Sequence, residues 1–141
     1  MSKSGGCLCG AVRFEITSEV TETGACHCGM CRKVSGGVFL GVEVPAEAFA
    51  FTSDNKGAVY SSSTWAERGF CSACGSSLYY RVTAPGPHQG TWHVGLGSLD
   101  DPNDVTLTGE IFIDLKPSGY AFAGDTHKMT EAQVMEMFGP S

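Results

Sequence analysis

A mainly β domain with one short C-terminal helix is what the sequence predicts, and three observations carry that prediction. Apolar and polar residues alternate over short runs, the period of a half-buried strand. Turn-forming groups punctuate the chain at Asn55-Lys56-Gly57, Pro85-Gly86-Pro87 and Asp101-Pro102-Asn103. The 19 glycines are scattered, which suits many turns and short strands better than a few long helices.

The elements follow in order. Residues 11–16 alternate, with Val12, Phe14 and Ile16 on one face and Arg13 and Glu15 on the other. Val38, Leu40, Val42 and Val44 repeat at period two and predict a second strand, stopped by Pro45. Residues 58–61, 77–82, 91–96 and 110–114 are further short strand segments. The helix is predicted over Glu131–Phe138. Thr130 and Gln133 form a T-x-x-Q capping box at its start, and Met129 and Val134 occupy the positions of a hydrophobic staple. Met135 and Phe138 share a face, Gly139-Pro140 ends the helix, and the methionines read as core filling rather than chemistry.

The 141 residues suit one domain, 1–141, with a single core. Apolar residues make up 42% and charged residues 17%, the balance of a globular domain rather than a disordered one. Net charge is −6, and no Lys/Arg run offers a footprint for nucleic acid. No stretch approaches the ~20 apolar residues that cross a bilayer, and the polar start has no apolar leader segment. The expected location is the cytoplasm, and nothing in the sequence sets an oligomeric state. Seven cysteines, an odd number, fit a disulfide framework poorly in that compartment.

Those cysteines fall into three groups: Cys7-Leu8-Cys9, Cys26-His27-Cys28-Gly29-Met30-Cys31, and Cys71-Ser72-Ala73-Cys74. In an extended segment, residues i and i+2 share a face, so Cys7 and Cys9, or Cys26 and Cys28, can aim at one point. A C-x-x-C turn curls two thiolates around one ion, and Gly75 permits the left-handed backbone that such a turn needs. Seven ligands divide as four plus three. Four make a closed structural zinc site, and three leave a place for water or substrate. Spacing does not say which pairs share an ion. Cys26, Cys28 and Cys31 can form a three-ligand site alone, which leaves Cys7/Cys9 to join Cys71/Cys74. A redox role for Cys28 and Cys31 competes, but the βαβ context it requires is missing. His27 faces away from the metal as a core or supporting residue, or replaces one sulfur. His88, His93 and His127 are isolated and read as structural or solvent-facing.

These residues resemble the glutathione-dependent formaldehyde-activating enzyme family, which includes a centromere-protein-V-like branch. The matching stretches are Gly6-Cys7-Leu8-Cys9-Gly10-Ala11-Val12, Cys26-His27-Cys28 through Cys31-Arg32, and Phe70-Cys71 through Cys74-Gly75-Ser76. Gly97-Ser98-Leu99-Asp100-Asp101-Pro102 and Ile111-Phe112-Ile113-Asp114 are similar to later family segments. The resemblance implies a β-tent-like fold with two zinc ions. It implies that Cys7, Cys9, Cys71 and Cys74 hold a structural ion, and that Cys26, Cys28 and Cys31 hold an open one. It also implies a small-molecule thiol partner, glutathione, joined reversibly to formaldehyde as S-hydroxymethylglutathione. After Asp114 the chain departs from the family pattern. Ser118-Gly119-Tyr120 and Asp125-Thr126-His127-Lys128 stand where an aromatic residue and an Asp-x-x-Pro segment are common, and they are expected to line one pocket wall.

Three thiolates against one Zn²⁺ leave a single negative charge, a weak Lewis acid that still binds and deprotonates a thiol. Both directions of the implied reaction are carbon–sulfur lyase chemistry. Arg32 and Lys33 follow the last ligand and either meet a substrate carboxylate or stand as a solvated basic pair. Glu43, Glu67, Tyr79, Tyr80 and His93 qualify as acid or base by residue type alone. Two other readings remain: a non-catalytic zinc module that binds a macromolecule, and a thiol redox or metal-handling protein.

Overall fold

The computed structural model describes residues 2–138. Two sheets face each other across an aromatic core. The smaller has β1 (Lys3–Gly6), β2 (Arg13–Ile16) and β5 (Phe49–Phe51), antiparallel in the order β1-β2-β5. The larger runs β11-β10-β3-β4-β9-β8-β7-β6. Its members are β3 (Glu22–Cys26), β4 (Phe39–Val44), β6 (Ala58–Tyr60), β7 (Ala66–Phe70), β8 (Ser77–Val82), β9 (Trp92–Gly95), β10 (Thr106–Ile111) and β11 (His127–Met129). Strand β10 lies parallel to both of its neighbours, β3 and β11. The described residues also form two α-helices, α1 (Gly29–Ser35) and α2 (Glu131–Phe138). The predicted mainly β architecture with a short C-terminal helix is present.

The alternation in β2 works as predicted: Val12, Phe14 and Ile16 are buried while Arg13 and Glu15 are partly exposed. Phe14 stacks on Phe49 with centroids 5.0 Å apart, and Phe49 stacks on Trp92 at 4.1 Å. Phe49 belongs to the small sheet and Trp92 to the large one, so this stack joins the two layers. Tyr79 closes the cluster edge-on to Trp92 at 4.8 Å.

Strand register divides the large sheet into two chemically different faces, because residues paired across strands share a face. One row is Val42, Val94, Tyr79 and Gly69, and it faces the core. The next row is Glu43, His93, Tyr80, Arg68 and Tyr60, which therefore lies on the opposite face. Gly69 is small because Tyr79 lies on it: a Cβ there would sit 2.1 Å from the ring.

Several elements differ from the sequence expectation. The strand expected over 110–114 is β10, which begins at Thr106 and stops at Ile111. Phe112 takes a left-handed backbone (φ 56°) and Ile113–Leu115 forms a 3-10 turn, which ends pairing there. Strands β1, β3, β5, β7 and β11 and helix α1 carry too little alternation to be read from pattern. The α2 capping box is formed, with Thr130 N–H donating to Gln133 Oε1 (2.8 Å) and Gln133 N–H to Thr130 Oγ1 (3.3 Å). Its core-filling role is corrected: Val134 is buried, but Met135, Met137 and Phe138 are exposed. The predicted Gly139-Pro140 stop lies outside the described residues. Among those described, no helix is long and apolar enough to cross a membrane.

Candidate metal centres

Cys7, Cys9, Cys71 and Cys74 bring their sulfurs to within 4.8 Å of one another. Cys7 and Cys9 come from the turn after β1, not from an extended segment as expected; Gly10 N–H donates to Cys7 O and closes that turn. Cys71 and Cys74 come from the β7–β8 turn, where Gly75 has the anticipated left-handed backbone (φ 80°) and donates to Cys71 O at 2.7 Å. The Cys7–Cys9 and Cys9–Cys71 sulfurs lie 3.6 and 3.8 Å apart. A zinc–thiolate tetrahedron with ~2.3 Å bonds has edges of about 3.8 Å, so the donor set fits. Backbone N–H groups of Val12 and Cys74 point at Cys7 and Cys71 sulfur, at 3.3 and 3.5 Å. The Val12 bond comes first among the causes that draw the Cys7 thiol down. Hydrogen bonds from Ser76 draw Cys74 down to about 5. Cys9 goes up to about 11: an Ala11 backbone bond lowers it, but its hydrogen bonds with Cys7 and Cys74 outweigh that.

Cys26, Cys28 and Cys31 form a second cluster with the same sulfur spacing limit. Cys26 ends β3, and Cys28 caps α1 from an extended backbone (φ −62°, ψ 156°), so the expected i, i+2 geometry is present. Cys31 lies on the first turn of α1, and its N–H donates to Cys28 sulfur at 3.4 Å. Cys28 is drawn down to about 2, first by its hydrogen bonds with Cys26 and Cys31 and then by the backbone amides of Cys31 and Met30. Cys26 is pushed up by those same two neighbours, then by burial. For Cys31 the bond with Cys26 pulls down, but Cys28 and burial together push harder and the net is upward. Three sulfurs converge here where four converge at the other cluster.

A basic residue that the sequence reading passed over completes this second cluster. Arg68, on β7, is 4% exposed, and both terminal nitrogens of its guanidinium lie 3.6 Å from Cys31 sulfur. Its Nε donates to Ser62 Oγ at 3.2 Å, and its carbon sits 4.8 Å above the Tyr80 ring. Burial raises the Tyr80 phenol, Arg68 opposes this, and charge on Cys31 and Cys26 adds to it, leaving Tyr80 a protonated donor. His93 stands next in the row, 5.5 Å from Tyr80 between ring centroids, and burial lowers its basicity. Of the other residues chosen by type, Tyr79 belongs to the core, Glu67 pairs with Arg81 at 3.7 Å, and Glu43 is exposed at the row's end. Arg32 and Lys33 are exposed on α1. Nothing in the local run Ala66-Glu67-Arg68-Gly69-Phe70 sets Arg68 apart as a site residue.

His27 is buried and does not join the sulfurs. Its Nε2 meets Glu110 Oε1 at 2.8 Å, and Glu110 Oε2 accepts from the Thr126 hydroxyl at 2.6 Å, with Lys128 at 3.9 Å. Tyr120 and Phe122 lie over the imidazole, 6.4 and 6.2 Å between centroids. The segment expected to wall a pocket therefore backs the cysteine loop through His27. His88 and His127 are exposed, as read. Two surface grooves, one beside β11 and α2 and one at Ser2–Ser4 and Asp100–Asp101, contain none of the cysteines.

Comparison with known proteins gives the fold and the family. A crystal structure of a Rhodobacter sphaeroides protein shares the fold, with a TM-score of 0.56 at 22% identity, over 74% of this chain and 99% of that one. An uncharacterized lyase of Schizosaccharomyces pombe is 30% identical over 132 residues, 94% of this chain and 93% of its own. A Phaeosphaeria nodorum protein named "putative glutathione-dependent formaldehyde-activating enzyme" is 36% identical over 60% of this chain and 46% of its own. A Halomonas elongata protein of the same name is 32% identical over 56% of this chain and 55% of its own. The chain thus matches about half the length of these two relatives. Residues 2–115 match the family model described as glutathione-dependent formaldehyde-activating enzyme, and the chain belongs to that family.

Proposed function

We propose that this chain is an enzyme, a zinc-dependent carbon–sulfur lyase acting on glutathione or a related thiol adduct, with S-hydroxymethylglutathione formation as the named candidate. The proposal takes 1–141 as one domain in the cytoplasm, with a structural ion at Cys7, Cys9, Cys71 and Cys74 and a second ion at Cys26, Cys28 and Cys31. The single observation that carries it is the ligand asymmetry: four sulfurs at one cluster, and three sulfurs plus a buried guanidinium at the other. Cys26, Cys28 and Cys31 would hold the zinc ion, which would supply thiophilic Lewis acidity toward a substrate sulfur.

The chain's own groups then have distinct tasks. Arg68 offsets the negative charge of the sulfurs. As a thiolate adds to formaldehyde, a carbon–sulfur bond forms and the carbonyl electrons move to oxygen. Tyr80, protonated and beside Arg68, is the proposed donor to that oxygen, and its proton is replaced by the one the thiol released. In reverse, the phenolate takes the hydroxyl proton and the sulfur leaves. Arg32, exposed one residue after Cys31, is assigned to a carboxylate of the peptide thiol.

Metal analysis with a formaldehyde–glutathione assay tests this. Two zinc ions per chain are expected, with thiol-dependent turnover. Tyr80→Phe should lower kcat by roughly 100-fold or more without changing zinc content, the usual worth of a positioned acid. A protein with full zinc and no reaction with any thiol adduct would be a non-catalytic module.

A further inference from the structure

We propose that Arg68 is a positioning residue that sets the charge of the three-sulfur site, so that the fourth place accepts an anionic thiolate. The inference rests on the zinc reading above and adds which residue makes that place selective.

Three features of Arg68 point this way. It is buried, at 4% exposure, and among the described residues it forms no ion pair with a carboxylate. An arginine stays protonated in a protein, and a buried cation without an anion is strongly disfavoured. The sulfur cluster is the anion within reach. Both terminal nitrogens converge on one atom, Cys31 sulfur, at equal distances of 3.6 Å. The fork is also held from two further sides, by Ser62 at Nε and by the Tyr80 ring below.

Charge counting gives the consequence. Three thiolates and a dication sum to one negative charge, and Arg68 brings the site to neutral. Binding a fourth thiolate then restores one negative charge rather than building two. Among the described residues, the four-sulfur cluster has no buried arginine against its sulfurs. Its neighbouring cation, Arg13, is partly exposed and bound to Asp100. The same chemistry explains the ligand chosen: a neutral water gains less from a nearby cation than a thiolate does.

A purely structural Arg68 would pin β7 to α1 and do nothing else. Cobalt(II) substitution separates the two roles, because thiolate-to-cobalt bands report each cluster directly. The wild type, Arg68→Met and Arg68→Lys would each be loaded with cobalt and titrated with glutathione. In Arg68→Met the glutathione dissociation constant should rise roughly tenfold or more, with the four-sulfur bands unchanged. Arg68→Lys keeps the charge but loses the fork, so it should recover part of that affinity while its three-sulfur bands stay shifted. Arg68→Met with affinity within about twofold of wild type overturns the inference alone. If Arg68→Met fails to fold, Arg68→Lys is compared with Arg68→Gln, and equal affinities overturn it. A wild type that takes up two cobalt ions and ignores every thiol overturns the zinc-lyase reading and this inference with it.

Discussion

The two cysteine clusters draw on the same ligand chemistry and differ in what they connect. The four-sulfur cluster ties the β1–β2 turn to the β7–β8 turn, so it joins the small sheet to the large one across 62 positions. Two of its members, Cys7 and Cys71, are also part of the hydrophobic core. The three-sulfur cluster is local: all three cysteines fall between the end of β3 and the first turn of α1. Its long-range support comes from outside the three cysteines, through Arg68 on β7 and through His27 to Glu110 on β10. One cluster is therefore part of the fold's closure, and the other is mounted on a fold that is already closed.

The largest expected difference follows from that contrast. Metal at a structural four-thiolate site contributes on the order of 10 kcal/mol to folding, comparable with the ~5–15 kcal/mol stability of a whole domain. Cys71→Ser should give an insoluble or unfolded chain. Cys28→Ser should stay folded with roughly half the zinc and no thiol-dependent turnover. Thermal melts with metal analysis on both variants decide. The reverse pattern, an unfolded Cys28→Ser beside a stable Cys71→Ser, would break the comparison.

Next in size is the support behind the three-sulfur cluster. Burial works against ionised Glu110, but hydrogen bonds from Thr126 and His27 and the charge of Lys128 outweigh it and hold the carboxyl below its usual range. Leaving the buried hydrogen-bond partners of such a network unsatisfied costs about 1–3 kcal/mol. Glu110→Ala should lose that much in urea unfolding and should also loosen metal at the three-sulfur cluster only. Unchanged metal affinity there would mean that His27 and Glu110 serve the fold alone.

How far the sequence exposed these features depends on how local each one is. The cysteine spacing made both clusters legible, because Cys26, Cys28 and Cys31 lie within six residues and the remaining pairs sit on tight turns of their own. The α2 capping box was legible because it is a four-residue signal. Arg68 was not, because its partner lies 37 positions away and only strand register brings it to Cys31. Glu110 is 83 positions from His27 and was hidden for the same reason. Strands β3 and β1 escaped notice because Glu-Thr-Gly-Ala-Cys and Lys-Ser-Gly-Gly carry no bulky alternation; their pairing comes from neighbours rather than from propensity. Tyr79 and Tyr80 looked equivalent by type, and only the sheet's two faces separate a core residue from one that lies against Arg68.

That separation can be tested on a single strand. Gly69 and Arg68 are adjacent on β7 and face opposite ways. Gly69→Ala would drive a methyl group into the Tyr79 ring on the core side. Overpacking of this kind costs about 1–3 kcal/mol. The variant should melt earlier while its three-sulfur cluster keeps a normal response to glutathione. Loss of that response with the melting temperature intact would show that the two faces are coupled more tightly than the register implies.

The smallest effect concerns the cation nearest the four-sulfur cluster, and it sharpens the contrast with Arg68. Arg13 meets both carboxylate oxygens of Asp100, and the two side chains are 37% and 53% exposed. Asp100 raises the Arg13 guanidinium first, with a smaller Coulombic contribution from Cys7, and Arg13 in turn lowers Asp100. Both groups are fully charged at neutral pH, so the pair is intact there. Exposed pairs of this kind contribute at most ~1 kcal/mol, because water screens the attraction and two long side chains lose freedom. Arg13→Gln should therefore cost no more than about 1 kcal/mol near pH 7. The difference from wild type should shrink in 1 M salt, where the screening length falls to ~3 Å. Arg68, buried against sulfur, should show no such salt relief when replaced. An Arg13→Gln variant that loses several kcal/mol at any salt concentration, or that releases metal from the four-sulfur cluster, would place a charge-compensating arginine at both sites.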